Sequence, residues 1–128
     1  IHDAPAGTVS FALLLEDKDA APVCGFSWIH WLAANIPDTD IPENASLTAR
    51  FIQGTNSRSG KLGNHTREEA SCYGGPAPPD APHLYELHVY ALDCTLNLQP
   101  GFYMNELFHA MKGHVLDTAT LEGWYGNK

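Results

Sequence analysis

Five side chains in this sequence are of types that hold an anion or move a proton: Asp17, Asp19, His30, His83 and Tyr85. The two acids form an Asp-x-Asp just beyond an apolar run, Phe11–Leu15. His30 sits inside a second apolar segment, Phe26–Asn35. His83 and Tyr85 are two apart, so a strand there puts an imidazole and a phenol on one face. A stiff loop that ends in an imidazole and a phenol on one strand face makes a wall for a polar pocket. Carboxylates just beyond a buried strand can point into such a site. Each residue alone has a plainer reading. An isolated Asp-x-Asp is usually a solvated turn, and a lone His in an apolar strand is usually a core residue with both nitrogens satisfied.

The elements that must position these groups follow from the pattern around them. Cys72–Tyr85 reads CYGGPAPPDAPHLY. Two glycines followed by Pro76, Pro78 and Pro79 exclude a helix or a central strand, so this is a stiff loop whose Gly75-Pro76 backbone offers close approach. From His83 the chain alternates through Leu92 as a long strand. Thr8–Glu16 reads as a strand buried on both faces. Phe26–Asn35 is a second strand, ended at Ile36-Pro37. Its parity groups His30 with Trp28, and Ile29 with Trp31. Ala20–Gly25 and Asp38–Asn44 read as loops, and Ala45–Gln53 as a weaker strand. Gly54–Ala70, polar and glycine-rich, reads as a long surface loop. Phe102–Lys112 has helical spacing at Tyr103, Leu107, Ala110 and Met111, with Gly113 where a left-handed cap belongs. His114–Tyr125 is a final strand. Many strands, one late helix and no βαβ alternation give an all-β-dominated chain, most simply an antiparallel β-sandwich of two sheets with a short helix near the C-terminus.

Composition narrows the function. The 128 residues make one domain, with 44% apolar residues for a core. No stretch is long and apolar enough to be a transmembrane segment. A formal net charge of −8 argues against nucleic acid as a partner, since backbone binding runs on Lys and Arg. Three cysteines, Cys24, Cys72 and Cys94, form no CxxC. They read as reduced thiols, with one disulfide pair as the alternative, and their spacing lacks the local pairing of zinc ligands. With no visible signal peptide, the expected compartment is cytoplasmic.

The motifs also carry a resemblance. APAGTVSFALLLEDKD (Ala4–Asp19), HWLAANIP (His30–Pro37), TNSRSGKLG (Thr55–Gly63), YGGPAPPDAPHLYELHVYALD (Tyr73–Asp93) and LFHAMKGHVLDTATLEGWYG (Leu107–Gly126) occur in one order. In that order, with GGPxPP followed by HxY, the chain resembles the phosphatidylethanolamine-binding protein family, also known for Raf kinase inhibitor protein, and its small prokaryotic branch. The resemblance implies a two-sheet sandwich with a small anion pocket at one end, for phosphate or phospholipid head groups. Carried over, the pocket is Asp17, His30, the Gly75-Pro76 backbone, His83 and Tyr85, with Asp19 as a supporting acid.

The chain departs from the family at Lys18, where proline is frequent, which adds a cation near the mouth. It also departs at Leu84, where arginine is frequent, and at Ala77, where cysteine is. The family's usual N-terminal strand region is not seen before Ile1, and without it a sheet edge or the core beneath would be open. The expectation is that a partner chain, a separate cleaved fragment or a homo-oligomer covers it, or that the sequence is a truncated piece. The expected function is a non-enzymatic binder of a phosphate-bearing small molecule or lipid head group, with no catalytic residues, cofactor or metal. Histidine-based binding of this kind strengthens toward about pH 6. The alternative is a regulator that inhibits a kinase or protease through contact with that protein partner. An enzyme built on the acids, histidines and tyrosine is the third class, but no activated nucleophile is evident.

Overall fold

The structure is a computed structural model, and it describes residues 1, 4–37, 45–47, 51–60, 63–74 and 81–126. Its frame is one antiparallel sheet of five strands: β1 (Ser10–Asp17), β2 (Trp28–Ile36), β3 (Ile52–Gln53), β4 (His83–Leu92) and β5 (Val115–Tyr125), in the order β3-β2-β1-β4-β5. The apolar run of β1 explains its place at the centre. A strand with neighbours on both sides and layers on both faces has nowhere to put polar side chains. Phe11, Ala12, Leu13 and Leu14 are all buried.

The two faces carry separate cores. On one, Ala12, Leu14, Leu32, Ala34 and Leu92 pack against Phe102, Leu107 and Met111. The last two come from the helix α2 (Met104–Met111), preceded in chain order by a single turn, α1 (Ala21–Cys24). The Tyr103 N–H donates to the Glu106 carboxylate at 2.9 Å, which satisfies one of the helix's first free N–H groups. On the other face Phe11, Leu13, Ala33, Ile36 and Ala91 form the second core, with Trp31, Leu87 and Val89 against it.

Two β-bulges in β2 break the parity expected from the sequence. Leu15 pairs with Trp31 and Glu16 with Ile29, so His30 is the extra residue. Phe11 pairs with Ile36 and Leu13 with Ala33, and the extra residue there includes Asn35 at φ 58°. A bulge bends the strand and re-aims its side chains. Ile29 therefore packs on the first core and Trp31 on the second.

Other expectations change in detail. The expected loop Ala20–Gly25 instead holds the end of a 3-10 turn (Lys18–Ala20) and α1, closed by Gly25 at φ 94°. The weak strand over 45–53 is instead a 3-10 turn (Ala45–Leu47) and the two-residue β3; residues 48–50 lie outside the described residues, as does the Asp38–Asn44 loop. The polar segment from Gly54 is not a surface loop throughout. Gly54, Thr55, Asn56 and Ala70 are buried, with the Thr55 N–H bonded to the Phe102 carbonyl and the Asn56 N–H to that of Ala70.

A second strand layer does not occur among the described residues: all five strands share one sheet. Every residue of β5 is exposed, with Leu121 and Trp124 at 69% and 70%. No helix among the described residues is long and apolar enough to cross a membrane.

Candidate functional site

Asp17 is the last residue of the central strand, and both neighbouring strands deliver side chains to it. Across β1–β4 it is the partner of Tyr85, and across β1–β2 it is the partner of Trp28. His83, two residues before Tyr85, lies on the same face and binds Asp17 directly: His83 Nδ1 is 2.6 Å from Asp17 Oδ2. The bulge in β2 brings His30 to the same place, where its ring meets Tyr85 edge-on with centroids 5.3 Å apart. All four residues are buried, at 3% to 7% exposure, and that burial makes their polar atoms costly to leave unpaired.

Hydrogen bonds fix the chemistry at each position. His30 Nδ1 is 2.8 Å from the Gly74 carbonyl, and the Gly74 N–H donates back to the His30 carbonyl at 2.7 Å. A carbonyl only accepts, so Nδ1 carries the hydrogen and Nε2 is the variable nitrogen. Burial holds the His30 imidazole below its ordinary value; Arg58 pushes the same way, while the Gly74 carbonyl and Asp17 oppose. The Tyr85 phenol is pushed up to about 12, by burial first and by Asp17 second, and so remains a donor. Two buried atoms have no hydrogen-bond partner among the described residues: Asp17 Oδ1 and the Tyr85 hydroxyl.

The remaining expected residues fall less centrally. Asp19 is exposed, and its Oδ2 accepts the Leu84 N–H at 2.9 Å. It ties the turn after β1 to the start of β4. Gly75 and Pro76 lie outside the described residues, as does Ala77. Lys18 does not add a cation at the mouth. Its Nζ is 3.1 Å from Glu86, whose neighbour across β1 is Glu16, on the face opposite Asp17.

Arg58 supplies a cation that the motif reading passed over. It sits on the 3-10 turn Ser57–Ser59, held by its N–H to Asn56 Oδ1 at 2.9 Å. A Cβ on Gly74 would meet its Nε at 3.1 Å, so the guanidinium lies over the glycine that clamps His30. The sequence signal was present in TNSRSGKLG, which holds an Arg among small polar residues.

A second imidazole–carboxylate pair makes a useful contrast. On the opposite face, His88 Nε2 is 2.8 Å from Glu16 Oε2, Ser27 donates to Glu16 Oε1, and His88 Nδ1 meets the Thr120 hydroxyl. Every one of these atoms is satisfied within the chain. That pair has a structural explanation, while Asp17 and Tyr85 keep buried hydrogen-bonding capacity in reserve.

A model of the phosphatidylethanolamine-binding protein family matches residues 1–126. The chain belongs to this family. Its relatives include YxkA of Bacillus subtilis, described as uncharacterized, at 51% identity over 125 residues, covering 94% of this chain and 74% of that protein. A UPF0098 protein of Methanothermobacter thermautotrophicus is 37% identical over 127 residues, covering 94% and 76%. Among solved structures, a phosphatidylethanolamine-binding protein (PEBP) homologue of Chlamydia trachomatis superposes with a TM-score of 0.83 at 33% identity, covering 98% of this chain and 77% of that one. YbcL of E. coli, a member of the same family, gives 0.74 at 28%, covering 97% and 75%. The PEBP fold similarity therefore spans the strands that carry Asp17, His30, His83 and Tyr85.

The depressed pKa of His30 gives a pH signature. The unfolded chain takes up this proton near pH 6.5, and the folded chain only at lower pH. The unfolded state thus binds more protons in that window, and stability is lost as pH falls below about 6.5. One such proton contributes a slope of at most about 1.4 kcal/mol per pH unit. Urea midpoints at two pH values either side of this window should fall further on acidification in the wild type than in His30→Asn. Equal losses would show that His30 is not the group responsible. By the same shift, any gain in anion binding from a charged His30 belongs at more acid pH than the sequence alone implied.

Proposed function

We propose that Asp17, His30, His83 and Tyr85 form a binding pocket for a phosphate group, free or carried by a small ester or lipid head group. One observation carries this reading: a buried acceptor, Asp17 Oδ1, and a buried donor, the Tyr85 hydroxyl, both lack partners among the described residues. Each such atom costs about 1–3 kcal/mol if nothing pairs with it. A hydrogen phosphate offers both an O–H and oxyanion acceptors, and an ethanolamine phosphate offers an ammonium besides. Arg58, whose guanidinium lies over Gly74, supplies positive potential and further donors. The two-sheet sandwich implied by the resemblance belongs to the same reading, supported by the likeness to solved PEBP homologues. Binding involves no chemical step.

Calorimetric titration of inorganic phosphate and of phosphoethanolamine tests the reading. Tyr85→Phe removes the hydroxyl and keeps the ring, and it should weaken binding about tenfold, the worth of one hydrogen bond to an ion. No heat from either ligand with folded wild-type protein would reject the pocket as a phosphate site.

A further inference from the structure

Three side chains of metal-ligating type meet at the other end of β4. Asp93 and Cys94 follow its last residue, Leu92, and His114 precedes β5. Residues 95–113 separate them in sequence, yet antiparallel pairing sets the end of β4 beside the start of β5, with Leu92 opposite Val115. The Asp93 N–H donates to the His114 carbonyl at 3.0 Å, and His114 Nδ1 lies 2.8 Å from Asp93 Oδ1. One ligand atom from each of Asp93, Cys94 and His114 falls within 4.8 Å of the other two.

The backbone beneath them is clamped. Ser10, buried, donates to the Cys94 carbonyl at 2.6 Å. Asn35 brackets Leu96, accepting its N–H at 2.8 Å and donating to its carbonyl at 3.0 Å. Gly113, at φ 83°, turns the chain after α2, and the His114 N–H closes onto the Met111 carbonyl at 2.9 Å. A register shift between Ala91 and Leu92 adds a bulge where β5 begins. Bulges often re-aim side chains beside functional sites.

We propose that Asp93, Cys94 and His114 bind a divalent transition-metal ion, zinc above all, through Oδ, Sγ and Nδ1. A thiolate, an imidazole and a carboxylate suit zinc, whereas magnesium and calcium take oxygen ligands. Bond lengths of about 2.0–2.3 Å around a tetrahedral ion put ligand atoms roughly 3.3–3.6 Å apart. Binding therefore requires the side chains to adjust, opening the 2.8 Å Asp93–His114 contact and drawing atoms up to 4.8 Å apart together. Asp93 and His114 have side chains 43% and 46% exposed, so a fourth position is left to water. On binding, the metal sheds water and the thiol proton passes to solvent. Cysteine spacing alone argued against a metal site because it looked for paired cysteines. The fold instead pairs one cysteine with a histidine and an acid.

Cobalt(II) titration of the reduced, tag-free chain tests this directly. The expected result is a one-to-one complex with a thiolate-to-cobalt charge-transfer band in the near ultraviolet, bleached by zinc. Cys94→Ser should lose the band, and His114→Ala should weaken binding at least about tenfold. The double variant Cys24→Ser/Cys72→Ser should keep the band. Circular dichroism of each metal-free variant confirms that it is folded. No thiolate band in the wild type, a band that survives in Cys94→Ser, or one lost in the Cys24→Ser/Cys72→Ser chain would overturn the assignment.

Discussion

His83→Ala is expected to lower folding stability by about 2–3 kcal/mol, the usual cost of removing the hydrogen-bond donor of a buried carboxylate. Asp17 is 3% exposed, and His83 Nδ1 is the partner of its Oδ2. Its other oxygen already lacks a partner among the described residues. Removing the imidazole would therefore leave a buried carboxylate with neither oxygen paired to a described residue, which is costly away from water. Urea unfolding of wild type and variant measures the loss. A double-mutant cycle with Asp17→Asn separates the pair from mere loss of packing. Removing the charge as well should recover part of the loss, by a coupling of about 1–3 kcal/mol. A His83→Ala chain within about 1 kcal/mol of wild type would mean that the pair does not hold the pocket together.

The reach of the sequence can be judged from particular residues. β1, β4 and β5 were legible because each is long and patterned, and His83 and Tyr85 could be put on one face from period-two alternation alone. The bulge at His30 was not legible. Nothing in WIHWLAANI marks which residue is extra, because the bulge is decided by pairing with β1. The break in the expected strand over 45–53 has a local cause. Ser46 and Gln53 bond to each other, hydroxyl to amide and amide to backbone carbonyl, which offers the chain an alternative to a ladder. Arg58 and the Asp93–Cys94–His114 cluster were missed for one reason: their neighbours are remote in sequence, and only the folded sheet and loops bring them together. The burial of Thr55 and Asn56 is of the same kind, since their polar groups are satisfied by Gly101, Phe102, Ala70 and Cys72 from distant segments.

If the proposed phosphate pocket holds, Asp17→Asn is expected to change which anions bind there. In the wild type, Asp17 Oδ2 receives the His83 Nδ1–H, so Oδ1 is the atom left to face a ligand. A carboxylate oxygen accepts and cannot donate. It therefore favours an anion that keeps an O–H at neutral pH, as hydrogen phosphate does, and opposes sulfate, which presents only lone pairs and negative charge. Sites built around a ligand hydroxyl reject isosteres lacking it by about 10⁴-fold. In Asp17→Asn the amide oxygen must take the Oδ2 position to receive the His83 proton, and that choice puts the NH₂ group where Oδ1 was. An acceptor becomes a donor at the same point, and the negative charge is gone. Sulfate should then bind within about tenfold of phosphate, a difference of about 1.4 kcal/mol or less. Parallel titrations of sulfate and phosphate into both chains read the ratio. Equal affinities in the wild type, or phosphate preference undiminished in Asp17→Asn, would show that Asp17 Oδ1 does not face the ligand. The buried carboxylate would then serve only to hold His83.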